Sequence, residues 1–204
     1  MRFWDTYNLH LLTLACLCVA VYLGVCWETM PPLKRALGFF VIGITLHEWE
    51  ETRFPGGFFD LMTRKFGISE YTPQQVGRAH GAAVIAIVFF AFVPFLLSDI
   101  RWLALVSGVL GVFEAFIHVA GIRIHRLKYP YSPGMATALV CLLPSSVLIF
   151  TYAAPGAGWG WAAAIAYYLA VFAVMEVLVW RAFGISPKDL PQKMAKLRGG
   201  DGRR

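Results

Sequence analysis

Six apolar stretches, each about as long as a bilayer is thick, leave this chain few ways to fold. A spanning helix needs about 20 mostly apolar residues. The windows at 8–27, 33–52, 73–98, 101–124, 133–152 and 161–183 answer that description. Turns with their own chemistry separate them: Pro31-Pro32, a Phe- and Gly-rich loop from Arg53 to Tyr71, Tyr129 to Gly134, and Ala153 to Gly160. Thr72, Pro73 and Gln75 read as a helix start with a capping box. Ser132 and Pro133 read as the cap and first turn of another helix. The expectation is an all-α, multi-pass membrane bundle of six transmembrane helices in one domain over 1–183, with a basic tail at 184–204. A 58% apolar and 15% charged composition is far from the balance of a soluble domain.

The start of the chain resembles a signal peptide only superficially. Asp5 sits in its short n-region, Arg2 is the sole positive charge there, and the apolar run continues to Trp27. It reads as a retained first span. The cysteines (Cys16, Cys18, Cys26 and Cys141) lie in apolar runs without a CxxC pair, and read as core thiols rather than a disulfide or zinc knuckle.

The net charge of +6 does not point to nucleic acid, because the basic residues lie in short loops and the tail. Fifteen of the 18 Lys and Arg fall in the N-terminus, the 53–72 loop with Arg78, the 123–128 loop and the segment from Arg181 onward. Lys34, Arg35 and Arg101 make up the opposite side. The positive-inside bias therefore predicts both termini in the cytoplasm and a cell (inner or plasma) membrane location.

Against that frame, Leu46-His47-Glu48-Trp49-Glu50-Glu51-Thr52 is out of place. Ionisable groups are expensive in lipid and face a bundle interior or water. His47, Glu50 and Glu51, spaced i, i+3, i+4, share one helix face, while Glu48 points elsewhere. At 1.5 Å per residue, His47 lies roughly 9 Å inside the membrane. On the fourth helix His118 is roughly 8 Å deep and Glu114 roughly 14 Å. Glu176 on the sixth is roughly 8 Å deep by the same rule. His10, His80 and His125 belong to the same side. His10 and His80 read as interfacial, and His125, among Arg123, Arg126 and Lys128, reads as part of a basic patch.

Three accounts of this polar layer stand side by side. Di-iron bundles place Glu-x-x-His pairs on facing helices with two further carboxylates. Here the first pair is reversed and the second, Glu114 and His118, is spaced by four. Such a set suits zinc, iron or manganese. Alternatively, the carboxylates and histidines form a proton or ion relay. Or the groups are structural, pairing with Arg53, Arg78 or Arg123. Ser107-x-x-x-Gly111 allows a close helix contact of the kind that could bring His118 toward His47. No P-loop, GxSxG or dinucleotide fingerprint is present, and Ser145-Ser146 does not read as a nucleophile.

His47-x-x-Glu50-Glu51 followed by Phe54-Pro55 resembles the signature of the bacterial membrane-protein family named for its HXXEE motif. His118, followed by Tyr131-Ser132-Pro133-Gly134-Met135 and Thr137-Ala138, is similar to that family's second motif. The resemblance runs from Gly38 to Leu148. It implies that His47, Glu50, Glu51 and His118 belong together and that Tyr131 to Gly134 is a functional or architectural turn. It implies no substrate, since the family's function is not established.

The expected site is thus His47, Glu50, Glu51, Glu114 and His118, as ligands of a divalent metal (zinc, iron or manganese). Glu50, Glu51 and Glu114 are the candidate catalytic carboxylates. Hydrolytic or redox chemistry on a lipid-like small molecule is the expected use, with the Phe54 to Phe59 loop gating access. A proton- or ion-coupled transporter and a non-catalytic membrane subunit are the rival functions. The expected partners are the lipid bilayer and that small molecule, not nucleic acid; the oligomeric state is open.

Overall fold

The computed structural model describes residues 3–65, 68 and 70–186. These form helices joined by turns, with no strand among the described residues. The chain runs through α1 (Phe3–Cys26), α2 (Pro32–Thr52), the short α3 (Phe58–Lys65), α4 (Pro73–Leu96), α5 (Arg101–Ile124), α6 (Met135–Ala153) and α7 (Gly160–Ala182). Arg2 and most of the basic tail lie outside the described residues.

Among the described residues, five helices are long and apolar enough to cross a membrane: α1 with its following turn to Thr29, α4, α5, α6 and α7. α2 is not among them, because charged residues hold both of its ends. Its surroundings explain the difference. Twelve of its 21 residues are buried, whereas only 11% of the apolar window of α7 is. A helix enclosed by other helices need not be apolar all round, but one on the rim must be. The rim is apolar: Leu14, Val21 and Val25 on α1, Val140 on α6, and Leu169 and Val174 on α7 are all exposed. A soluble monomer rarely shows so extensive an apolar surface; it is the surface of a membrane protein.

Neighbouring helices close a ring in the order α1, α4, α7, α5, α6, α2, and α2 also touches α4 and α5. Small residues set the close approaches. A Cβ on Gly111 would collide with Ser146 Oγ of α6 and stand 2.8 Å from Phe40 Cε2 of α2. Gly77 and Gly81 do the same for α4, which lies against Asp5 and Trp4 of α1. α4 and α6 each contain one π-helical stretch, Val88–Phe92 and Ala138–Leu142, two residues before Pro94 and Pro144. Proline has no N–H for the carbonyl four residues back. For Pro94 that carbonyl is Phe90's, and Ser107 Oγ–H donates to it across the α4–α5 contact at 2.6 Å.

Thr72, Pro73 and Gln75 form the capping box that the sequence predicts. Other expectations are corrected. α1 begins at Phe3 rather than near residue 8, because Asp5 pairs with Arg78 (3.6 Å) and Asn8 Nδ2–H donates to Gly77 O (2.9 Å). The loop after α2 contains a helix, α3. α6 begins at Met135, and Ser132 does not cap it. Gly134 ends the preceding turn at φ +96, where an L side chain is strained, and the Ser132 hydroxyl has other partners.

Candidate metal centre

His47 and Glu51 stand one turn apart on α2, and Glu114 and His118 one turn apart on α5. The i, i+4 spacing puts each pair on one face, and the bundle turns the two faces toward each other. The two imidazole rings lie 4.9 Å apart, edge to face. Glu51 Oε1 is 3.1 Å from His118 Nε2 and 3.5 Å from His47 Nε2. Glu114 Oε2 is 3.5 Å from His118 Nε2 and 3.7 Å from His47 Nε2.

The remaining ring nitrogens fix the tautomers. His47 Nδ1 lies 3.0 Å from the Gly134 carbonyl and 3.1 Å from Thr137 Oγ1. A carbonyl only accepts, so this nitrogen carries the hydrogen. His118 Nδ1 lies 3.0 Å from Ser132 Oγ. The Ser132 hydroxyl donates its own hydrogen to the His118 carbonyl at 3.1 Å, so it accepts from the ring. With Nδ1–H engaged in this way, each imidazole directs Nε2 into the shared space, as metal-ligating histidines do, and that nitrogen offers a lone pair when the ring is neutral. Gly134 also has to be glycine here. A Cβ would stand 2.6 Å from His118 Cε1 and 2.7 Å from His47 Cε1.

Two imidazole nitrogens and two carboxylate oxygens thus meet in a place where His47 and His118 are each 2% exposed. Buried acceptors facing one another repel unless a cation or protons join them. His118 Nε2 makes no well-aligned hydrogen bond, although Glu51 Oε1 stands 3.1 Å away. Tetrahedral ligands about 2.0–2.1 Å from a metal lie about 3.3 Å apart, and the four separations above bracket that spacing. The ligand atoms of His47, Glu51 and His118 lie within 4.8 Å of one another, so these residues could hold a metal ion.

Glu50 is placed differently. Its carboxylate accepts from Tyr131 OH (2.6 Å), Ala136 N (3.0 Å), Thr137 N (2.7 Å) and the Thr137 hydroxyl. It therefore caps the first turn of α6 from a neighbouring helix, where free N–H groups await an acceptor, and it does not face the imidazole pair. Burial, together with the Glu50 carboxylate, pushes the Tyr131 phenol up, so it stays a donor.

Glu48 and His80 form a second pair. His80 is buried rather than interfacial; its Nδ1–H donates to Asn8 Oδ1 (2.5 Å), and its Nε2 lies 2.9 Å from Glu48 Oε2. His10 is exposed and packs edge-on to Trp49. Glu176 accepts from Trp180 Nε1 at 2.7 Å and, like His125, lines the cavity beside the centre. Sequence reasoning did not find Ser132, Thr137 and the Gly134 carbonyl as the groups that orient the imidazoles, although the turn that carries them was marked. No spacing rule relates a helix histidine to a backbone carbonyl 87 residues on.

That cavity has a volume of about 310 Å³. His47, Glu51, Glu114 and His118 line it together with Phe58 and Phe59 of α3 and, besides Glu176 and His125, apolar side chains of α5 and α7. Phe58 lies against His118 and Phe59 against His80, so the aromatic pair separates the two histidine groups from the surroundings.

A family described as a protein of unknown function with HXXEE motif matches residues 38–149, more than half of the chain. No curated protein and no solved structure gives a significant match. The matched span contains His47, Glu50, Glu51, Glu114 and His118 as well as the turn at 131–134.

Proposed function

The chain belongs to this family of unknown function with an HXXEE motif, and on that premise we propose that it is a metal-dependent membrane enzyme. Its centre is His47, Glu51 and His118. The observation that supports this best is the convergence of two imidazole nitrogens and a carboxylate, with each imidazole held so that Nε2 faces inward. Two histidines and one glutamate are a ligand set of catalytic zinc sites, which keep a fourth position for water. The same set suits iron or manganese. Glu114 is the natural general base. It stands beside both imidazoles and lines the cavity, and its side chain is 19% exposed against 10% for Glu51. A metal held there supplies an activated water or polarises a substrate oxygen. The protein's own part is to hold that position, exclude bulk water with Phe58 and Phe59, and take a proton on Glu114. Hydrolysis of a lipid-like substrate is the favoured reaction, and redox chemistry at iron or manganese is the other use of the same ligands. In this reading α2 crosses the membrane with the other five long helices, both termini are cytoplasmic, and the centre opens near the cytoplasmic face of the cell membrane.

A proton- or ion-coupled transporter is the competing reading. The imidazole–carboxylate distances of 3.1–3.7 Å suit two shared protons as well as one divalent ion. Elemental analysis decides between them. The protein, purified without chelators and offered zinc, iron or manganese, is expected to retain close to one metal per chain. His47→Ala/His118→Ala loses it, while Glu114→Gln keeps it. A wild type that stays metal-free removes the enzyme reading and favours the transporter.

A further inference from the structure

We propose that the substrate is a single-chain amphiphile, its chain lying in a slot that leaves the centre past Met175 and continues in a groove between α4 and α7. The inference rests on the metal-centre reading for the polar end only. The apolar slot is a separate observation.

The cavity of about 310 Å³ has the four groups of the centre on one wall and Phe113 and Ile117 of α5 with Phe172, Met175 and Val179 of α7 on others, Glu176 being the carboxylate that α7 adds. A molecule that satisfies both ends has an oxygen-bearing head and an apolar continuation. This volume lies at the small end of the range for ligand pockets, about 300–1,000 Å³, which suits a head and the first part of one chain. A second space of about 390 Å³ shares Met175 with the first as a lining residue. It is an apolar groove on the bundle's outer surface, walled by Ala82, Ile85 and Phe89 of α4 and by Val171, Val174 and Leu178 of α7. Ile85, Phe89, Val174 and Leu178 are exposed, so the groove faces what surrounds the bundle, which for this apolar rim is lipid.

Met175 lines both spaces, and the adjacent Ala82 and Ala83 face the groove and the cavity respectively. Met175 is thus the side chain that stands at both spaces. Its unbranched side chain readjusts more easily than any branched or aromatic residue. A folded partner helix would fill the groove but could not continue into the cavity. An acyl or isoprenoid chain does both, and its polar end then arrives at His47, Glu51 and His118.

The test uses the full chain in phosphatidylcholine nanodiscs with a diazirine-bearing palmitic acid as probe, its adducts mapped by peptide mass spectrometry. Adducts are expected to concentrate on Ile117, Met175 and Val174, well above the level at the lipid-facing Leu14, Val21 and Val140. Met175→Trp should remove the Ile117 adducts several-fold while leaving metal content unchanged. Ala170→Phe fills the groove from an exposed position on α7, and should lower the Val174 adducts without threatening the fold. The His47→Ala/His118→Ala protein should lose metal and still label at Val174, so a failure of the centre and a failure of the slot are told apart. Even labelling of all lipid-facing positions, or internal adducts indifferent to both Met175→Trp and Ala170→Phe, would overturn the proposal.

Discussion

Ser132 and the Gly134 carbonyl decide which nitrogen each imidazole of the centre presents. The Ser132 hydroxyl has a single hydrogen, and the His118 carbonyl takes it, so the ring N–H must be the donor in the other bond. Removing that acceptor leaves a buried N–H without a partner and frees the ring to rotate. Loss of such a supporting contact weakens metal binding by about 10–100-fold. Ser132→Ala is therefore expected to bind zinc within that range of loss, measured by competition with a chromogenic chelator, with the helical content unchanged. An unchanged affinity would mean that His118 is oriented by something other than Ser132. At this scale the sequence was readable in part. It marked His47, Glu51, Glu114 and His118 by their cost in an apolar helix. It did not separate Glu50 from Glu51, because both lie on one helix face and only the turn at 131–137 distinguishes them.

The unit of organisation at the next scale is α2 joined to the start of α6. Glu50 binds two N–H groups of the first turn of α6, the Thr137 hydroxyl and Tyr131, and so acts on the helix rather than on the cavity. Glu50→Ala leaves these donors unsatisfied at a helix end, which costs about 2 kcal/mol. A lower midpoint of thermal unfolding in detergent is expected, with metal still bound at saturating concentration. Loss of metal without loss of stability would place Glu50 at the centre instead. The helices were legible where their ends carry their own chemistry, as at Thr72-Pro73-Gln75. They were less so where a distant partner sets the boundary. Asp5 and Asn8 extend α1 to Phe3 by binding α4, and Gly134 delays α6 to Met135 because its left-handed conformation leaves room for two imidazoles. Neither partner is near in sequence.

For the whole molecule, apolar runs announced a helical membrane protein, and the ring order α1, α4, α7, α5, α6, α2 is what they did not announce. In that arrangement α2 touches α1, α4, α5 and α6, and among the described residues it is the one long helix whose composition falls short of a lipid-facing span. The account has α2 cross the membrane all the same, which makes an even number of crossings. Reporter fusions or cysteine labelling at Trp27–Thr29 and at the 153–160 turn should report one side of the membrane, and at the 125–134 turn the other. Labelling of the Trp27–Thr29 turn from the same side as the 125–134 turn would contradict it.

The central claim is that His47, Glu51 and His118 hold a metal through imidazole nitrogen and carboxylate oxygen, and X-ray absorption at the edge of the bound metal tests it most directly. The account predicts a first shell of two imidazole nitrogens with carboxylate and water oxygens, at about 2.0–2.2 Å for zinc, and no sulfur, with the imidazole scattering lost in His47→Ala/His118→Ala. A shell of oxygens alone, a sulfur ligand, or an unchanged spectrum in the double variant would contradict it.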